Sequence, residues 1–192
     1  VRKITFTGST EVGRILMRQS ADTIKKISLE LGGNAPLIVF DDADLDEAVE
    51  GAIASKYRNA GQTCVCANRI FVQARIHDAF AKALAEKVAA MTVGDGFEEG
   101  VVQGPIIDQQ GFDKINRHIE DAKSKGGQVL TGGGPHEKGG TFFQPTVLTG
   151  ATAEMDLYGE ETFGPVAALF KFETEEQAIT AANDTIFGLA AY

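Results

Sequence analysis

Cysteine is scarce. There are two in 192 residues, Cys64 and Cys66, with one position between them. A disulfide scaffold spreads its cysteines along the chain, so this pair argues for a reducing, cytoplasmic setting. Histidine is nearly as rare, and His77, His118 and His136 are scattered. With so few ligands a structural zinc site is not expected, and no metal is assigned. No apolar run is long enough to span a bilayer, and no stretch reads as a signal peptide. Positive charge is short: 18 Lys and Arg stand against 27 Asp and Glu, a formal net charge of -9. That excess argues against nucleic acid or an anionic membrane as a partner, while a small anionic ligand needs only one or two local cations. Internal repeats, low-complexity tracts and the G-x-G-x-x-G fingerprint are all missing. There is no Met at position 1, and the last residues, Gly188 to Tyr192, are mostly apolar. A piece of a longer polypeptide is therefore expected.

What is present is the balance of a globular protein, 43% hydrophobic and 23% charged. Strand-like and helix-like segments alternate. Arg2–Thr7 and Lys26–Leu31 read as strands around a helix that ends near Ala21, with Val12, Ile15 and Leu16 on one face. Such a βαβ unit favours a parallel sheet with a right-handed crossover. Pro36–Phe40 is the next strand. Asp44 with Glu47 reads as a capping box opening a helix that carries Val49, Ile53 and Tyr57. Further strands are expected at Ile70–Val72, Val129-Leu130, Phe142-Phe143 and Val166–Phe172. Helices are expected at Asp78–Met91, at Gln109–Ser124, and from the Thr174/Gln177 capping box to about Asn183. The fold class is α/β. A boundary is placed near Gly33, with part of one domain in residues 1–33 and most of a second in 34–192.

Three stretches carry chemistry. Gly61-Gln62-Thr63-Cys64 puts a thiol in a glycine-led loop. A free thiol has a pKa of about 8.5, so a reactive one needs a base, positive charge or backbone N–H groups nearby. Cys66 is either structural or a partner that traps oxidised Cys64, which makes the pair a candidate oxidant-sensitive unit. Glu30 ends a strand between Leu29 and Leu31, an apolar setting that would raise its pKa and suit it to proton transfer. Gly8-Ser9-Thr10 opens a helix whose free N–H groups attract phosphate. Arg58, six positions before Cys64, is suited to grip a substrate carboxylate. The third stretch, Glu160-Glu161-Thr162-Phe163-Gly164-Pro165, sets acid and aromatic side chains beside a turn. A thiol that forms a thioester also serves a cofactor-independent cysteine hydrolase or acyltransferase, and a folded module without activity keeps the same architecture.

Glu30-Leu31-Gly32-Gly33-Asn34, the cysteine loop and the Glu160–Pro165 stretch together resemble the NAD(P)-dependent aldehyde dehydrogenase family along essentially the whole chain. Tyr57 to Arg69 resembles the branch acting on succinate semialdehyde. The resemblance implies an α/β catalytic domain in 34–192, preceded in 1–33 by the end of a Rossmann-like cofactor domain. It implies Cys64 as nucleophile, Glu30 as general base, and Arg58 as clamp for a carboxylated aldehyde. Ser9, with Gly8 and Gly13 shaping its turn, would meet the pyrophosphate of NAD or NADP. Leu31 and Gly32 would line the nicotinamide, Glu161 would bind its ribose, and Phe163 would pack near the ring. Another anionic aldehyde would serve the same clamp. The family's homodimers and homotetramers are expected of the full-length protein. An oxyanion-holding Asn and most adenosine contacts would lie upstream of Val1, so the 192 residues alone are expected to show negligible turnover.

Overall fold

The computed structural model describes residues 1–192. β1 (Lys3–Thr7), α1 (Thr10–Ala21) and β2 (Lys26–Glu30) form the expected βαβ unit, with β1 and β2 paired in parallel from Lys3 opposite Lys26 to Thr7 opposite Glu30. Ser9 caps α1, its hydroxyl accepting from the Val12 amide at 3.3 Å. The apolar face expected of α1 is not buried: Val12 and Ile15 are exposed, and Gly13 and Ser20 are the buried residues. The helix meets the strand layer where Gly13, lacking a Cβ, admits the Leu31 side chain.

A second sheet holds β3 (Ala35–Val39), β4 (Ala67–Gln73), β7 (Val166–Phe172), β6 (Thr146–Thr149) and β5 (Gln128–Thr131), in that order. All neighbours are parallel except the edge pair β5 and β6. α2 (Leu45–Lys56) and α3 (Ala74–Ala89) cover one face; α5 (Asp156–Gly159) and α6 (Glu175–Asn183) cover the other, and α4 (Gln109–Ser124) packs beside them. Burial on both faces explains the apolar run Ile70–Val72 within β4 and the nearly unbroken one along β7. Along β7, Ala167 and Leu169 enter one core with Phe80 and Leu84 of α3, while Ala168, Phe170 and Phe172 enter the other with Leu157 and Tyr158.

Some expectations need correction. The Asp44 carboxylate caps α2 through the Glu47 amide at 3.0 Å, but only α6 has a complete capping box, between Thr174 and Gln177. α3 begins at Ala74, directly off β4, without a side-chain cap. Phe143 is not in a strand. It is buried beside Phe112 under α4 and bridges only Pro135. The strand lies just beyond, after Pro145, where a proline costs no ladder bond. Tyr57 ties the end of α2 to that strand, its hydroxyl donating to the Thr146 carbonyl at 2.7 Å.

Candidate active site

The cysteine loop follows α2 through a 3-10 turn, Arg58–Gly61. Asn59, Ala60 and Gly61 have φ of 52°, 55° and 73°, three successive left-handed residues. Such conformations are strained for Asn and Ala, at about 1–3 kcal/mol each. A Cβ on Gly61 would overlap the Gly164 carbonyl oxygen. Thr63–Cys66 is then a turn closed by the Cys66 amide on the Thr63 carbonyl at 3.1 Å, with Cys64 at its tip. Cys64 is half-buried and Cys66 buried, both as free thiols. The Cys66 thiol is held between the Thr63 hydroxyl, 2.7 Å away, and the Lys56 carbonyl at 3.5 Å. Gln62 fastens the loop sideways: its Oε1 accepts from the Ile107 amide at 2.9 Å and its Nε2 donates to the Pro105 carbonyl at 3.1 Å.

Cys64 opens onto a cavity of about 530 Å³. Its walls come from five places in the chain. Thr7, Gly8 and Ser9 lie at the β1–α1 turn, Leu31 and Gly32 beyond β2, and Gln62 to Cys64 in the loop. Ile106, Ile107, Gly111 and Lys114 come from α4 and the segment before it, and Glu161 and Phe163 from the stretch before β7. Seven residues singled out in the sequence therefore meet there: Gly8, Ser9, Leu31, Gly32, Cys64, Glu161 and Phe163. Close packing needs the paired glycines. A Cβ on Gly33 would overlap the Cys64 carbonyl oxygen, and one on Gly32 would press on the Glu161 carboxylate. The Gly33 amide donates to Glu161 Oε1 at 3.1 Å. Burial raises the Glu161 pKa, against the pull of that amide, Lys114 and Lys56. Phe163 is itself left-handed, at φ 53°.

Four candidates lie outside this wall. Gly13 packs under Leu31, and Cys66 is beneath the loop. Arg58 is exposed on the 3-10 turn. Glu30 is exposed too, not enclosed by apolar side chains as its neighbours suggested, because strand alternation sends Leu29 and Glu30 to opposite faces. Its backbone carbonyl accepts from the Gly8 amide at 3.0 Å, and its side chain has no hydrogen-bond or ion-pair partner. It immediately precedes the lining residue Leu31.

The matching family model, described as the aldehyde dehydrogenase family, covers residues 1–192. The chain belongs to the aldehyde dehydrogenase family. It is 60% identical over its whole length to the Escherichia coli protein named succinate-semialdehyde dehydrogenase NADP(+) GabD, and covers 40% of it. It is 58% identical, with the same coverage, to a glutarate-semialdehyde dehydrogenase of Pseudomonas aeruginosa. The crystal structure of succinate-semialdehyde dehydrogenase from Burkholderia pseudomallei superposes with a TM-score of 0.99 at 61% identity, over all of this chain and 40% of that one. A betaine aldehyde dehydrogenase from Staphylococcus aureus in complex with NAD+ superposes with a TM-score of 0.95 at 41% identity, over 100% of this chain and 39% of that one. The chain thus spans about 40% of the length of these relatives.

Two lysines of this aldehyde dehydrogenase chain went unremarked in the sequence. Lys114 lines the cavity and donates to the Glu161 carbonyl at 2.8 Å; burial lowers its pKa. Lys56 is wholly buried under the cysteine loop and donates to Asn68 Oδ1 at 2.7 Å. Its signal was available, since Val49, Ala52, Ile53 and Lys56 fall on one helical face. Burial brings the Lys56 pKa down from 10.5 to about 8, partly offset by Cys66 and Glu161. The unfolded chain holds this proton up to the ordinary value and the folded chain only to about 8, so raising the pH between the two favours the folded state. Against a Lys56→Met variant, the full-length protein is expected to gain on the order of 2–3 kcal/mol between about pH 8 and 10. Urea unfolding across that range checks this; parallel curves for the two proteins refute it.

Proposed function

We propose that the full-length protein oxidises a semialdehyde, most simply succinate semialdehyde, to the carboxylic acid with NAD or NADP. One observation carries this reading: Cys64 shares a single cavity with Gly8 and Ser9 of the β1–α1 turn, the Leu31-Gly32 edge, Glu161 and Phe163. These residues fit a nicotinamide cofactor. The first-turn amides of α1, beside Ser9, suit a pyrophosphate, and the Gly32 edge, where a side chain would strike Glu161, leaves room for a flat ring next to a ribose-binding carboxylate. The chemistry such a cofactor supplies when bound is hydride acceptance. Residues 1–33 are read as the end of the cofactor domain and 34–192 as most of the catalytic domain.

Cys64 carries the substrate, first as a thiohemiacetal and then as a thioester. Its backbone N–H donates to no group of the chain, which leaves it free to meet the developing oxyanion. Glu30 would take the proton of the water that hydrolyses the thioester, a role that rests on the resemblance, because its unengaged side chain is outside the cavity wall. Arg58 would hold a substrate carboxylate, a role that rests on the resemblance, because its side chain is outside the cavity wall. Oxidative pairing of Cys66 with Cys64 would require the Cys66 thiol to leave Thr63. The setting proposed is cytoplasmic, with assembly as a homodimer or homotetramer. No helix is long and apolar enough to cross a membrane.

The test is absorbance at 340 nm with succinate semialdehyde, glutarate semialdehyde and neutral aldehydes, each with NAD, NADP or neither. Cofactor-dependent turnover that favours the anionic aldehydes is expected. Arg58→Ala should raise KM about tenfold or more for these alone. Thioester turnover without cofactor would replace the reading with a hydrolase. An equal KM rise for neutral aldehydes would remove the clamp.

A further inference from the structure

His118 has no part in the chemistry above, yet it is fully buried on α4, one helical turn beyond Lys114. Its two ring nitrogens reach the residues on either side of Glu161. Nδ1 lies 3.1 Å from the Thr162 hydroxyl, and Nε2 lies 3.1 Å from Glu160 Oε2. Between them, the Glu161 carbonyl accepts from Lys114. Three successive residues are thus each held by α4. Glu160 is gripped again by Arg117, at 2.7 Å. Arg117 Nη2 also lies 3.4 Å from Nε2, but it donates at 2.7 Å to the same Glu160 oxygen. A carboxylate only accepts, so Nε2 is assigned the hydrogen facing Glu160, and in the neutral ring that burial favours, Nδ1 accepts from the Thr162 O–H. That is a neutral imidazole with both nitrogens satisfied. Burial also favours the neutral form, lowering the His118 pKa, as do the charges of Arg117 and Lys114, while Glu160 opposes them.

We propose that His118 is a positioning residue for Glu161: by tying down Glu160 and Thr162 it sets where the Glu161 carboxylate stands between the Gly33 amide and the cavity. The inference rests on the cavity being a nicotinamide-cofactor site. The rigidity matters because a carboxylate on a loop loses binding strength when it must be ordered at each binding event. A histidine that only stapled α4 to the loop would affect stability and nothing else.

The experiment uses full-length protein and four variants: His118→Ala, His118→Gln, Glu161→Gln and the His118→Ala/Glu161→Gln double. Cofactor Kd is read by calorimetry, and KM for cofactor and for aldehyde by steady-state rates. His118→Ala is expected to weaken cofactor binding about tenfold, with kcat and the aldehyde KM within about twofold. His118→Gln, whose amide places an N–H near Glu160, should recover most of that loss. With Glu161→Gln already present, His118→Ala should add less than about twofold, since both changes then act through one carboxylate. Fully additive effects, or a lower Tm with unchanged cofactor affinity, would overturn the proposal. If His118→Ala does not fold, His118→Asn against His118→Gln decides: the proposal requires weaker cofactor binding in Asn, which abandons Glu160, than in Gln. Failure of the unsubstituted protein to bind either cofactor overturns the reading of the cavity, and this proposal with it.

Discussion

Cys64→Ala is expected to lower aldehyde-dependent cofactor reduction in the full-length protein by about 10⁴-fold or more, with cofactor affinity changed by less than about twofold. The thiol is half-buried at the tip of a turn and forms part of a cavity wall. It makes no side-chain hydrogen bond, so its removal orphans no partner. The turn itself is held by backbone and by Gln62, neither of which the substitution touches. The loss should therefore fall on kcat and leave the fold intact. Glu30→Gln should give a different signature, a single fast turnover per site followed by slow hydrolysis, because it removes the base and keeps the nucleophile. Rapid-mixing absorbance at 340 nm separates the two. If Cys64→Ala retained more than a few per cent of the activity, a covalent route through this thiol would be untenable.

Local features were legible and long-range ones were not. The Thr174/Gln177 box, the Asp44 cap, and the runs Gln109–Ser124 and Val166–Phe172 depend on residues within a few positions of one another, so the structure keeps their bounds. The motifs around Glu30, Cys64 and Glu161 could be picked out for the same reason. What joins them could not. The Gly33–Glu161 bond spans 128 positions and the His118–Thr162 bond 44, and neither end announces the other. Glu30 shows the limit of reading a setting from neighbours. Leu29 and Leu31 adjoin it in sequence, but a strand alternates faces, so two flanking leucines say little about what surrounds the residue between them. Phe142-Phe143 shows another. Two aromatics suggest a strand, but Phe143 is claimed by the α4 core, and the true strand is four residues at Thr146–Thr149. Lys56 is the opposite case, a charge on an apolar helical face that periodicity alone exposes.

The same chemical change ten residues apart should have opposite signs. Gly51 sits inside α2, is exposed, and has nothing within 4 Å of where a Cβ would go. Gly51→Ala removes backbone freedom from the unfolded chain and should stabilise by about 0.5–1 kcal/mol. Gly61→Ala meets two obstacles at once. Its φ of 73° lies in the left-handed region, which costs a side chain roughly 1–2 kcal/mol. Its new methyl would also run into the Gly164 carbonyl, a backbone atom with no rotamer to retreat into. Relief must come from moving the Arg58–Gly61 turn or the Phe163-Gly164 segment, and both feed the cavity, one through Cys64 and the other through Phe163. A loss on the order of 3 kcal/mol or more is expected, together with a fall in kcat at temperatures where the protein remains folded. Urea unfolding and 340 nm rates of both variants read the two effects side by side. Equal stability changes for Gly51→Ala and Gly61→Ala would mean that the cysteine loop does not need the left-handed close approach on which the site is built.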